Sequence, residues 1–142
     1  MRRLALLCLL ALACGASEHD WSAEEIGNAE YVFTALHADR RASQIENLGE
    51  AGFDDRKEEE ASLEFREKAL QSARSVRDEV LDKLHPELRG HFRTEFERSQ
   101  ALFLEARREG RPSLENQAIA LRNDFGDWWV RHGNQVKLPR LE

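Results

Sequence analysis

This sequence predicts an all-α protein, a small antiparallel bundle of about four helices, and three features carry that prediction. Apolar residues recur at spacings of three and four along most of the chain, with no sustained strand-like alternation to compete. Helix-start chemistry stands ahead of the early periodic runs, and Gly or Pro punctuates the later ones. The joints between the last three helices are short, which implies that at least some neighbours pack antiparallel.

The first helix opens at Ser22-Ala23-Glu24-Glu25, a capping box in which the Ser hydroxyl and the Glu carboxylate satisfy exposed backbone N–H groups. It is expected to run to about Leu48, with Ile26, Ala29, Phe33 and Leu36 on one face and Ile45 and Leu48 continuing that face less regularly. Gly49 to Phe53, with Gly49 and Gly52, reads as a break, and Asp55-Arg56-Lys57-Glu58 repeats the cap logic. A second helix is then expected to about Leu84, its inner stripe formed by Leu63, Leu70, Ala73, Val80 and Leu84. Pro86 resets the chain by disfavouring helical geometry at His85, and it suits the first turn of the next helix. That third helix carries Leu88, Phe92, Phe96, Ser99, Phe103 and Ala106 and closes at Gly110. After Arg111-Pro112-Ser113, a fourth helix presents Leu114, Ala118, Leu121, Phe125, Trp128 and His132, with Gly133 as its stop. The bundle thus spans residues 22–133, between a short linker at 14–21 and an irregular tail at 134–142. Internal repeats and low-complexity segments are not evident.

Residues 1–13, or up to 16, have the form of an export signal: Arg2 and Arg3, then an uncharged Leu- and Ala-rich run, then small residues. The run is far below the ~18 to 20 residues of a bilayer-spanning helix, so a retained membrane anchor is the poorer reading. The stretch Leu10-Ala11-Leu12-Ala13-Cys14 resembles a bacterial lipobox, and that resemblance implies diacylglyceryl attachment to Cys14. Ala11 and Leu12 depart from the pattern, which prefers Leu three before the Cys and a small residue two before. Ala11-Leu12-Ala13 also fits the small-x-small rule of ordinary cleavage, and both readings stay open. Lipid on Cys14, with N-acylation, would supply the chains that stable membrane attachment needs. The expected address is the bacterial cell envelope, periplasmic or lipid-anchored to a membrane such as the outer one.

Cys8 and Cys14 are the only cysteines, so the body of the domain has none. An internal disulfide, a Cys-rich zinc site and a thiol nucleophile are excluded there. The net charge of −6 argues against nucleic acid as a partner. Acidic residues outnumber basic ones mainly before His85, which suits either a solvated helix face or attraction of a basic protein partner.

Candidate chemistry is sparse. Glu87, His91 and Glu95 share one helix face and could approach a metal, but helix-surface pairing accounts for the same pattern, and no metal or other cofactor is expected. No nucleophile-elbow serine, no Gly-rich phosphate loop and no carboxylate with a reason for a shifted pKa is visible, so no catalytic residue is assigned and the chain is read as a non-enzyme. Trp128 falls on the inner stripe, whereas Trp129, about 100° around the helix, either covers the flank of the bundle or contacts a partner.

The run Ser99-Gln100-Ala101-Leu102-Phe103-Leu104-Glu105-Ala106-Arg107 is similar to the Gln-x-x-Trp-Leu-x-x-Arg run of the LprI-type lysozyme-inhibitor family of exported bacterial proteins, with Phe103 where Trp is usual. Val80-Leu81-Asp82-Lys83-Leu84 and Pro86-Glu87-Leu88-Arg89 look like that family's helix, break and new helix. The resemblance covers residues 69–108 and implies an all-helical envelope protein that binds lysozyme, with Gln100, Phe103 and Arg107 as partner-binding candidates alongside Trp129. The family typically carries disulfide-forming cysteines, which are missing here. The same three residues also fit an amphipathic seam within the bundle. The functional expectation is a non-enzymatic envelope module that binds a protein, in its sharpest version lysozyme. The alternatives are a periplasmic metal-binding or stress-sensing helical protein, and a structural or assembly lipoprotein.

Overall fold

The computed structural model describes residues 21–49 and 55–136; residues 1–20, with Cys14 among them, 50–54 and 137–142 lie outside them. Among the described residues the chain is helical: α1 (Ala23–Gly49), α2 (Asp55–Ser75), α3 (Asp78–Leu84), α4 (residues 88–109) and α5 (Pro112–His132). Helix α4 begins as an ordinary helix at Leu88–His91, widens into a π-helical stretch at Phe92–Glu97, and resumes at Arg98–Glu109. No described helix is long and apolar enough to cross a membrane.

The long helices form an up-down-up-down bundle, and cross-helix pairs give the direction of each neighbour. Asn28 meets Ser75 while Asp39 meets Arg66, so α1 and α2 run antiparallel. Arg66 meets Gln100 while Glu59 meets Arg107, which sets α4 antiparallel to α2. His91 stacks on Trp128 while Arg107 approaches Glu115, which sets α5 antiparallel to α4. The α1–α2 contact is the most extensive. Its seam is built from Ala29, Val32, Ala35, Ala38 and Ala42 against Ala69, Ala73, Ser62 and Ser72, all buried. Small side chains let two helices approach closely, so the contact line falls on alanines and leaves the larger Phe33 and Leu36 half-buried beside it.

The expected start of α1 is present as drawn from sequence: Glu25 N–H donates to Ser22 Oγ at 3.1 Å and Ser22 N–H donates to the Glu25 carboxylate at 3.0 Å. That backbone hydrogen bond, followed by the Lys83 ammonium 3.0 Å away, holds the Glu25 carboxyl below its ordinary pKa. Gly110 caps α4 in the left-handed conformation at φ 60°.

Two expectations are corrected. The helix expected from Asp55 to Leu84 breaks at Val76 and becomes α2 and α3. Neither Gly nor Pro causes the break; side chains from elsewhere stabilise it. The Asn28 amide donates to Ser75 C=O and accepts from Arg77 N–H, both at 2.8 Å. Arg93 donates to the carbonyls of Ala73, at 2.7 Å, and Val76. Together they satisfy groups that a helix end leaves open. At the other end the last long helix stops at His132, as expected, and Gly133, right-handed at φ −60°, starts a 3₁₀ turn, Gly133–Gln135. What glycine permits there is proximity, since a Cβ would lie 2.9 Å from the Trp129 indole. The ordered chain then continues past residue 133 to Val136, which is buried in the core where an irregular tail was expected.

Candidate functional site

The interior has two chemically different halves. Around α3 and the ends of α1, α4 and α5 nearest it, the core is apolar, built on Val80, Leu81, Leu84, Leu88, Phe92, Phe96, Phe125 and Trp128. Toward the α1–α2 connection it is charged. Arg66, on the inner stripe of α2, has a side chain only 2% exposed. Its guanidinium donates to Asp39 Oδ1 at 2.5 Å, to Gln100 Oε1 at 3.0 Å, to Ser43 Oγ at 3.2 Å and to both carboxylate oxygens of Glu46, at 3.1 and 2.9 Å. The Phe103 ring covers it, with the guanidinium carbon 3.9 Å from the ring centroid. A buried cation is tolerated on these terms: opposite charge close by, every donor used, and an aromatic face alongside.

Asp39 is the hub on α1. It accepts from Arg66, from Gln100 Nε2 at 2.9 Å, and from Arg122 Nε of α5 at 2.8 and 3.0 Å. Burial pushes its carboxyl pKa up. The Arg122 hydrogen bond and charge, the Arg66 charge and the Gln100 amide outweigh burial, so the net shift is downward. Two carboxylates, Asp39 and Glu46, balance two guanidiniums, Arg66 and Arg122, and the lattice ties all four long helices.

Outside this lattice, α1 and α5 meet through side chains rather than through close backbone approach. The gap is a groove of about 480 Å³ open to solvent. Leu36, Phe96, Phe125 and Trp129 wall it, while Arg40, Arg122, Asn123 and Asp127 supply polar groups. Trp129 packs against Phe33, Phe125 and Trp128 at centroid distances of 6.2, 5.8 and 6.4 Å. It therefore covers the flank of the bundle and lines the groove at once. Gly126 also lines the groove, and a Cβ there would meet nothing within 4 Å.

The partner-binding residues singled out in the sequence are thus divided. Gln100 is fully buried and Phe103 is 5% exposed, so neither can reach a partner; both hold Arg66 instead. Arg107 is at the surface and bridges Glu59 at 3.2 Å and Glu115 at 3.8 Å, a link between helices. Trp129 lines the groove, and the other three do not. Cys14 lies outside the described residues.

The chain matches no protein-family model, no curated protein and no solved structure.

Glu87, His91 and Glu95 do not converge. His91 Nδ1 lies 2.9 Å from Glu95 Oε1, whereas Glu87 accepts from Trp128 Nε1 at 3.3 Å. Among the described residues no group of three or more His, Cys, Asp or Glu is placed to hold a metal. Instead three of the five histidines gather around an indole: His91 and His132 stack on Trp128 at 4.8 and 5.3 Å, and His85 meets it edge-on at 5.2 Å. Because His85 Nδ1 accepts from the Glu87 backbone N–H at 3.1 Å, its Nε2 is the nitrogen that donates to Gln135 Oε1, 2.9 Å away.

Sequence reading missed Asp39, Arg66 and Arg122, and a signal for them was present. Arg66 stands between Leu63 and Leu70 on an otherwise apolar stripe, Asp39 follows Val32 and Ala35 on theirs, and Arg122 follows Ala118. A charge at such a position is either a break in the pattern or a buried pair, and opposite charges on several helices favour the pair.

Proposed function

We propose that this protein is an exported, non-enzymatic protein-binding module of the bacterial cell envelope, held to a membrane through lipid on Cys14, with lysozyme inhibition as its sharpest form. The observation that carries the reading is the groove between α1 and α5, where aromatic walls and polar groups of both signs meet on a surface open to solvent. Aromatic side chains in a concave setting are the usual anchors of protein recognition. The charged lattice beneath gives that surface a rigid base, and rigidity before binding lowers the entropic cost of docking. The acidic character of the chain suits a basic partner and speeds its approach. The leader and the lipobox-like Leu10–Cys14 stretch support the envelope address.

The test is a lysozyme binding and activity titration with the chain from Ser17 onward, beside Trp129→Ala and Arg107→Ala, each checked for folding by circular dichroism. Micromolar or tighter inhibition, lost in folded Trp129→Ala and kept in Arg107→Ala, supports docking in the groove. Inhibition lost in Arg107→Ala and kept in Trp129→Ala moves the interface to the α2–α4 face. No binding at high micromolar concentration removes lysozyme as the partner.

A further inference from the structure

Resting on the reading of the groove as a docking surface, we propose that it takes a peptide segment presenting a carboxylate beside an aromatic or branched aliphatic side chain. Several observations converge on that chemistry. The hydrogen bonds from Arg122 to Asp39 leave from Nε alone, so its two terminal nitrogens have no protein partner among the described residues while the head stays fixed. A guanidinium clamped at one edge and free at the other is preorganised for a second carboxylate, which it can bind through two parallel hydrogen bonds. Arg40, exposed next to Asp39 in sequence, adds a second cation lining the groove with no ion pair of its own among the described residues. The negative charge of Asp39 does not cancel this attraction, because Arg66 and Gln100 also hold it from the inside.

The walls define the rest of the ligand. Phe96, Phe125 and Trp129 form an apolar lining, and the volume of about 480 Å³ lies in the range of small-ligand sites and exceeds a single side chain. Asp127 brings an opposing charge to the groove, and its carboxylate has no hydrogen-bond partner among the described residues. A fatty or aryl acid offers nothing to that carboxylate. A peptide does, through its backbone N–H groups, so Asp127 favours a peptide over a simple organic acid. Gly126 keeps the space between these groups clear, since any side chain there would project into the opening rather than into the core.

The experiment is calorimetric titration of the purified protein with N-acetyl-Gly-Leu-Phe as the free acid, the same tripeptide as its C-terminal amide, and 4-phenylbutyrate. The variants are Gly126→Leu, Arg40→Gln and Asp127→Asn. Gly126→Leu raises helix propensity and fills the groove without entering the core, so it separates loss of the site from loss of the fold. The expected result is that the free acid binds at least about tenfold more tightly than the amide and than phenylbutyrate. Gly126→Leu abolishes binding, Arg40→Gln narrows the acid-to-amide ratio, and Asp127→Asn narrows the peptide-to-phenylbutyrate ratio. Equal binding of acid and amide, lost in Gly126→Leu, overturns the carboxylate inference and leaves the groove as a docking site. Binding that survives Gly126→Leu overturns the groove for both. Failure of all three probes at millimolar concentration overturns the peptide inference alone, because the lysozyme titration reads the broader proposal separately.

Discussion

The two halves of the interior solve the same packing problem by opposite means. Near α3, Phe92, Phe96, Phe125 and Trp128 fill the space between helices and need only shape and exclusion of water. Near the α1–α2 connection, Arg66, Asp39, Glu46, Gln100 and Arg122 fill it with charge, which is tolerable only while every partner is in place. The apolar half confers stability that degrades gradually as atoms are removed. The charged half adds little net stability and imposes one register on four helices, since a slip of any helix strands a buried charge. The groove lies where the two halves meet, which is why it offers aromatic walls and a fixed guanidinium together.

The sharpest way to break this comparison is to remove one charge. Arg66→Met should cost about 3 to 5 kcal/mol in urea denaturation at pH 7, because Asp39 and Glu46 are left facing each other without their shared cation. Adding Asp39→Leu to that variant should recover part of the loss, a non-additivity of about 1 kcal/mol or more. Phe92→Ala should cost a similar amount, about 3 to 5 kcal/mol, with no such rescue. A loss in the double variant equal to the sum of the losses from Arg66→Met and Asp39→Leu measured singly would show that the lattice is not coupled.

A smaller effect distinguishes the halves by pH. Asp39 has its folded pKa below the ordinary 3.8, so its contribution is complete above the unfolded value and disappears as pH falls through the lower folded one. Asp39→Asn should therefore be less stable than the parent at pH 7 by about 1 to 3 kcal/mol, with the gap closing as pH falls below that range. Urea midpoints at pH 7, 4 and 2.5 measure it, and a gap that is constant across them would remove Asp39 as the acid-sensitive group. At the aromatic end, Gly133→Ala forces a Cβ against the Trp129 indole and should cost about 1 to 3 kcal/mol, with a shift in tryptophan emission. The smallest change is Ser22→Ala, which opens the capping box and should cost about 1 kcal/mol by thermal denaturation.

Much of the fold was legible in the residues because local chemistry and packing agreed. The capping box at Ser22, the extended His85 before Pro86, the left-handed Gly110 and the stripe from Leu88 to Ala106 all stand where the pattern put them. Reading was less successful on α1, where the pattern placed Phe33 and Leu36 on the inner face although the fully buried line runs along Ala29, Ala35, Ala38 and Ala42. Size signals burial in a single helix, but the line where two helices touch selects for smallness.

By itself, then, the sequence determined the all-α class, the positions of most helix ends and the aromatic stripes, since these depend on residues within a few turns of one another. Tertiary structure alone decided the break at Val76, the conversion of Gln100 and Phe103 from surface candidates into the cradle of Arg66, and the groove at Trp129. Each of those depends on residues that are distant in the chain, such as Asn28 and Arg93 reaching Ser75, Ala73 and Val76, or Arg122 reaching Asp39. Helix periodicity reports which face turns inward; it carries no information about which charge waits on the facing helix.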